Sequence, residues 1–371
     1  MGESATLLEL IQEQLNDFFR ARRQEFEAIS PELTPLVDRS RELLEGGKRF
    51  RALFTYWSWV GALESANQQL STDELQRASD SIVSICTALE IFHAAALVHD
   101  DILDQSDTRR GAPSVHKSFE KLHTDASWAG SPERFGVAAG VIVGDLLLSW
   151  SSELFGTALQ GAPSAAIQDA CRDQFAKMRI EVMAGQYLDV LEENAAATRA
   201  LDEAVGRANR VMLYKTAKYS IEAPLLIGAA FAGADEDMLK ALSTFAIPLG
   251  LAFQLRDDIL GVFGDPAVTG KPAGDDLREG KRTVMIGLTR ETLLPSLAKV
   301  FDEMLASRSL NPDQIKFLQN SIVESGALAK TERMMNDLAD QSLEALGLLP
   351  ISDYARDQLR ALALKVVQRD S

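Results

Sequence analysis

Two long stretches of helical period each end in the same four residues, Asp-Asp-Ile-Leu, and this pairing constrains the fold more than any other feature of the chain. From Asp73 to about Asp104 apolar residues recur three and four apart, through Ile82, Ile85, Leu89, Phe92 and Ala96, and the stretch closes on Asp100, Asp101, Ile102, Leu103 and Asp104. From Glu236 to Val262 the period returns, and Asp257, Asp258, Ile259 and Leu260 stand near its end. Further stretches of this period run from Val137 to Leu159, Ala165 to Leu191, Asp202 to Ala232 and from Thr283 onward, and strand–turn–strand signals are missing. The expected fold is all-α: a single large helical bundle with short loops, one domain over residues 1–371. Two loops are expected, Thr124 to Gly136 and Gly264 to Gly280, and neither reads as a linker, because charged residues of the second motif continue through the second loop. The faint likeness of the two aspartate segments suggests two facing helices with similar jobs.

A chain of 371 residues that is 46% hydrophobic can bury a large core. Its formal net charge of −16 argues against nucleic acid as the main partner. Cations are nevertheless gathered locally, at Lys48, Arg49 and Arg51 and again at Arg109 and Arg110. Cys86 and Cys171 lie in apolar helical contexts, which predicts reduced thiols in a cytoplasmic protein. The opening segment MGESATLLELIQEQL is amphipathic and acidic, unlike a secretory signal. No apolar run reaches the roughly 18 residues needed to span a bilayer, so no stable membrane insertion is expected.

The chemistry is carried by carboxylates and cations at fixed spacings. Asp100 and Asp104 are four apart and share a helix face, while Asp101 is displaced by about 100° and can support them from the side. Like charges so placed repel unless a cation lies between them. Mg²⁺ suits this arrangement, since it keeps several waters and takes one or two carboxylates plus substrate phosphates. Asp257 and Asp258 repeat the pattern, but Gly261 stands where a third carboxylate would lie one turn on. Lys271 and Lys281 follow, and lysine suits phosphate as a compact point charge. The segment GGKRFR, Gly46 to Arg51, sets two flexible glycines before three cations at an expected helix start, a natural cradle for a diphosphate. Other readings compete with these. An acidic helix end can simply be solvated, the lysines can form ordinary salt bridges, and the glycines can cap a helix. Glu90/His93 and Glu120/His123 have the E-x-x-H spacing of di-iron bundles, and His99-Asp100 matches the dyad of helical metal phosphohydrolases. Both metal readings leave the basic motifs unexplained.

Taken together, the chain resembles the trans-isoprenyl diphosphate synthases of the polyprenyl synthetase family. The resemblance rests on six elements in that family's order: GGKRFR, DDILD, RRG, GQYLD at Gly185 to Asp189, the Lys215-Thr216 pair, and QLRDD with its GKPAGDDLREGK loop. It implies an isoprenoid-synthase helical fold with a central active-site cavity, and head-to-tail transfer of an allylic diphosphate's prenyl group onto isopentenyl diphosphate. It further implies that Asp100 and Asp104 coordinate two Mg²⁺ and Asp257 a third, with Asp101 and Asp258 beside them. Arg109, Lys215, Lys271 and Lys281 would hold the allylic diphosphate, and Lys48, Arg51, His93 and Arg110 isopentenyl diphosphate. Thr216 and Gln254 would lie near the carbocation, and Gln186 and Asp189 would form wall and support. A homodimer is implied in the same way.

The resemblance also says where chain length is read. Ala96 and Ala95, four and five residues before Asp100, stand at the floor of the product tunnel, and both are small. Phe92 lies two turns, about 12 Å, below Asp100. As a floor it favours a geranylgeranyl product; as a core residue it merely packs. The rivals are a synthase of another product length, a class I terpene cyclase, whose second motif would differ from Gln254 to Asp258, and a non-catalytic regulatory subunit, which would not need an intact DDILD.

Overall fold

The structure, a computed structural model, describes residues 2–65, 71–265, 274–307 and 309–368. It is all-α, as the periodicity predicts. The chain separates into two compact units: Met1–Asp173 with Ile227–Ala234, and Gln174–Leu226 with Asp235–Ser371.

The first unit contains α1 (Gly2–Ile29), α2 (Thr34–Leu43), α3 (Phe50–Ser65), α4 (Thr72–Leu103), α5 (Val115–Asp125) and α6 (Pro132–Ala158). α4 starts at a capping box: Ser71 Oγ accepts from the Glu74 N–H, and the Glu74 carboxylate accepts from the Ser71 N–H. Both partners occupy donors that a helix start leaves orphaned. The apolar face of α4, with Ile82, Ile85, Leu89, Phe92 and Ala95, is buried. α6 packs closely along it because Gly140 and Gly144 carry no Cβ; one added at Gly144 would overlap the His99 imidazole. Ser151 Oγ also donates to the Ala88 carbonyl of α4 at 2.7 Å. α6 begins at Pro132, inside the expected loop. Gly136 is a helical residue in close approach, since a Cβ there would strike the His116 carbonyl. Strand is confined, among the described residues, to a hairpin of Thr108–Arg109 against Ala112–Pro113.

The second unit holds the later part of α7 (Ala165–Ala195), then α8 (Ala204–Val211), a π-helical segment (Met212–Glu222), the start of α9 (Ala223–Phe231), and α10 (Glu236–Phe263). After α10 come α11 (Asp275–Glu279), α12 (Val284–Thr292), α13 (Pro295–Leu305), α14 (Pro312–Glu324), α15 (Ala327–Gly347) and α16 (Asp353–Val367). Asp235 caps α10 by accepting from the Met238 N–H at 2.9 Å. Gly250 lets the π segment lie directly on α10: an added Cβ would come within 2.7 Å of the Ala217 Cβ and closer still to its Cα. Gly185 of α7 does the same for the backbone at Lys215.

The expectation that no helix is long and apolar enough is corrected on length and composition alone. Among the described residues, three helices could cross a membrane by that measure, Thr72–Leu103, Pro132–Gly161 and Glu236–Phe263. Isolated polar residues interrupt each run without cancelling its average apolarity. In the first of them, 72% of the most apolar stretch is buried inside the protein.

Candidate active site

In the first unit the aspartates close α4. Asp100 and Asp101 lie in its last turn, and Asp104 is the C-cap, its N–H donating to the Asp100 carbonyl at 2.8 Å. Asp101 and Asp104 are both buried, Asp101 the more deeply at 1% exposed. Asp101 accepts two hydrogen bonds from Arg109, one from Nε at 2.9 Å and a shorter one from Nη2. The same Nη2 is 3.4 Å from Asp100 Oδ2. Burial would lower the pKa of Arg109, but Asp101, Asp100 and Asp104 more than offset it, and the guanidinium is held firmly charged. The hairpin turn that presents Arg109 passes through Arg110 at φ 53° and Gly111 at φ 77°.

The GGKRFR segment precedes and opens α3. Gly46 and Gly47 have φ of 74° and 89°, which glycine adopts without strain. The Arg110 guanidinium lies against Gly47 and approaches the Leu43 and Glu45 carbonyls at 3.4 and 3.5 Å. Arg49 turns inward instead, donating to Gln12 and to the Leu44 carbonyl. Leu43, Gly46, Glu90, His93, Leu97 and Arg110 line a small cleft. Burial, then Arg51, Arg110 and Arg109, push the His93 pKa well below its usual value, so its imidazole is neutral. Burial raises the Glu90 carboxyl, against the pull of Arg51 and Arg49. Glu90 therefore belongs to the cation cradle, a role that its E-x-x-H spacing does not signal. Its position under two arginines comes from the packing of α3 on α4.

The other metal spacings do not assemble. His123 is buried beside Trp128 and Phe135, with Nε2 3.2 Å from the Ala129 carbonyl, and Glu120 pairs with Lys117 at 2.9 Å. His99 Nε2 lies 3.6 Å from Asp145. Further down α4, Phe92 and Ala95 are fully buried, while Ala96 retains some exposure.

In the second unit the residues form a chain of contacts. Lys215, on the π segment, pairs with Asp189 of α7 at 2.5 Å. Thr216 Oγ1 donates to Gln254 Oε1 at 2.5 Å, and Gln254 Nε2 donates to Asp258 Oδ1 at 2.7 Å. The π segment turns Lys215 and Thr216 toward different helices, and π-helical stretches recur at functional sites. Asp258 is 4% exposed. Burial, then Asp276 and Asp257, raise its pKa well above the carboxylate range, against Gln254 and Lys281. Its Oδ2 has no hydrogen-bond partner among the described residues. Asp257 faces solvent. Lys281 Nζ lies 2.8 Å from Glu279 and 3.8 Å from Asp276. Lys271 lies outside the described residues. The sequence marks Asp276 only as the second aspartate of the GDD in its loop, with no spacing that links it to Gly261.

No group of three or more His, Cys, Asp or Glu side chains forms a metal cage among the described residues. Mg²⁺ takes one or two carboxylates and completes its shell with waters and phosphate oxygens. Asp100 with Asp104, and Asp257 beside the orphaned Asp258 oxygen, are donor sets of that kind.

An all-α chain with two Asp-Asp helix ends, each accompanied by cations, matches the polyprenyl synthetase family model over residues 35–322. It is 31% identical over 288 residues to the geranylgeranyl diphosphate synthase of Sulfolobus acidocaldarius, covering 77% of this chain and 76% of that one. It is 30% identical to heptaprenyl diphosphate synthase component 2 of Geobacillus stearothermophilus, over 96% of this chain and 97% of that one. Among solved structures it superposes on a geranylgeranyl pyrophosphate synthase from Corynebacterium glutamicum, complexed with isoprenyl diphosphate and magnesium, with a TM-score of 0.89, 37% identity and 98% of each chain covered. The chain belongs to the polyprenyl synthetase family, and it is a prenyltransferase of the chain-elongating kind.

Proposed function

We propose that the chain condenses isopentenyl diphosphate with dimethylallyl, geranyl or farnesyl diphosphate and releases geranylgeranyl diphosphate. It does so as one catalytic domain in a Mg²⁺-dependent cytoplasmic homodimer. One observation carries the reading. On α4, Phe92, Ala96 and Asp100 lie at successive turns of one face, and His93 and Arg110 line the cleft at Gly46. An aspartate head with a small-residue floor and an aromatic stop beneath it suits a prenyl tail of limited length. The exposed Val137, Val141 and Ile142 of α6 support a homodimer.

Asp100, Asp104 and Asp257 would hold the metal. Mg²⁺ supplies charge neutralisation where the diphosphate departs. Arg109, Lys215, Lys271 and Lys281 hold the allylic diphosphate as its charge develops, and cations fixed in advance cost no reorganisation at that moment. Asp101 keeps Arg109 in place, as its two hydrogen bonds suggest. Lys48, Arg51, Arg110 and a neutral His93 hold isopentenyl diphosphate. Thr216 and Gln254 present oxygen dipoles to the carbocation. The Thr216 proton is committed to Gln254, so its hydroxyl is restrained rather than poised to attack.

A second reading is favoured by the similarity to a heptaprenyl synthase component: a longer product, or dependence on a partner chain. Product analysis by mass spectrometry decides, using purified protein, Mg²⁺, isopentenyl diphosphate and each allylic primer in turn. A geranylgeranyl product that lengthens in Phe92→Ala supports the reading. Longer products from the unaltered chain discard Phe92 as the stop, and no elongation from any primer makes this a regulatory subunit.

A further inference from the structure

The two Asp-Asp-Ile-Leu segments differ at their fifth residue, Asp104 in one and Gly261 in the other. Position 261 is one turn beyond Asp257 on the same face of α10. The space beside Gly261 is filled. A Cβ added there would lie 2.7 Å from Asp276 Oδ1 and closer still to its Cγ and Oδ2. Contacts that short mean that the Asp276 carboxylate rests where the side chain of residue 261 would begin. Lys281 and the burial of Leu277 hold Asp276 near that position. The Lys281 N–H donates to its carbonyl at 3.0 Å, and Lys281 Nζ lies 3.8 Å from Oδ1. Next to it, Leu277 is buried in a core that includes Val262 of α10. The glycines that bound α11, Gly274 and Gly280, have φ of 75° and 78°, so the short helix is set between two turns that glycine favours.

We infer that Asp276 supplies the third carboxylate of the second motif, delivered from α11 into the space that Gly261 leaves open, and that it positions the cation held by Asp257. The inference rests on the prenyltransferase reading above. The orphaned, buried Oδ2 of Asp258 is an independent sign that the polar set there is completed by a ligand. A carboxylate one turn from Asp257 accepts hydrogen bonds from the waters that Mg²⁺ retains, and such outer-shell partners tune metal affinity. Gly261 is then a requirement of the site. Placing an aspartate at 261, to match Asp104, displaces Asp276 and sets another negative charge beside Asp257.

The test counts bound Mn²⁺ by electron paramagnetic resonance, on the full chain with inorganic diphosphate. Asp276→Asn keeps the shape and removes the charge. It is expected to weaken one class of bound Mn²⁺ by about tenfold or more, with the helical circular dichroism retained. Gly261→Asp is expected to weaken the same class, and Gly261→Asp/Asp276→Gly to recover it. Unchanged Mn²⁺ binding in Asp276→Asn, with Asp257→Asn impaired, overturns the inference and leaves the prenyltransferase reading intact. Unchanged binding in Asp257→Asn overturns the inference together with the assignment of a cation to Asp257. Stronger binding in Gly261→Asp alone also overturns the inference.

Discussion

α4 and α10 end in the same four residues, yet their aspartate faces are built for different neighbours. Seven residues before the first aspartate, two turns down the same face, α4 has His93 and α10 has Gly250. His93 lines a cleft with Arg110, whereas Gly250 receives the backbone of the π segment at Ala217. One face borders a small cleft; the other is covered by the element that carries Thr216. The second aspartates differ as well. Asp101 is buried against a charged guanidinium, and Asp258 is buried against a neutral amide. A buried carboxylate takes its character from its partner, so an identical dipeptide yields a charge clamp on one helix and a hydrogen-bonded support on the other.

The comparison breaks most visibly at the first aspartates. Asp100→Ala is expected to lower turnover by about a thousandfold or more, on the scale of losing a main electrostatic stabiliser of the transition state. The helical circular dichroism should be unchanged, because Asp100 is partly exposed at a helix end. Asp257→Ala, with only one carboxylate of its frame lost and Asp276 still beside position 261, should cost less. Steady-state assays of the two variants side by side measure the gap, and equal losses would erase the distinction.

The second aspartates separate by stability. Arg109→Leu leaves the Asp101 charge buried without its guanidinium, which costs about 3–5 kcal/mol in comparable pairs. Gln254→Leu leaves Asp258 without an amide donor, a neutral loss of about 1–3 kcal/mol. Urea unfolding of both variants checks the order. A larger loss in Gln254→Leu would mean that Asp258 is charged in the folded protein.

The helices bearing these motifs were legible because their apolar period is long and the aspartates interrupt it only at the end. The π segment was not, since residues 204–231 keep a helical period whether their hydrogen bonds run to the fourth residue or the fifth. The hairpin at Arg109 is too short, at two residues a strand, for alternation to register. The charge clusters were readable, but not their division: Arg49 goes to Gln12, 37 residues away, and Arg109 goes to Asp101. Gly136 read as a turn because close helix packing and backbone freedom call for the same residue. Gly261 likewise read as a missing carboxylate, since nothing local shows that Asp276 occupies its space.

The smallest effect distinguishes the cleft face from the covered one by pH. His93 titrates at 6.5 when unfolded and well below that when folded, because burial and then Arg51, Arg110 and Arg109 oppose its charge. As pH falls through 6.5 the unfolded chain takes up a proton that the folded chain refuses, so His93 subtracts stability progressively below that pH and nothing above it. His93→Gln removes this term and should flatten the fall in unfolding free energy between pH 6.5 and the acid limit, while leaving the neutral value within the range of an ordinary polar exchange. Urea midpoints at a series of pH values read the difference. Parallel profiles for the two proteins would mean that the cations around His93 are screened, and that the cleft face of α4 is no more hostile to a proton than water is.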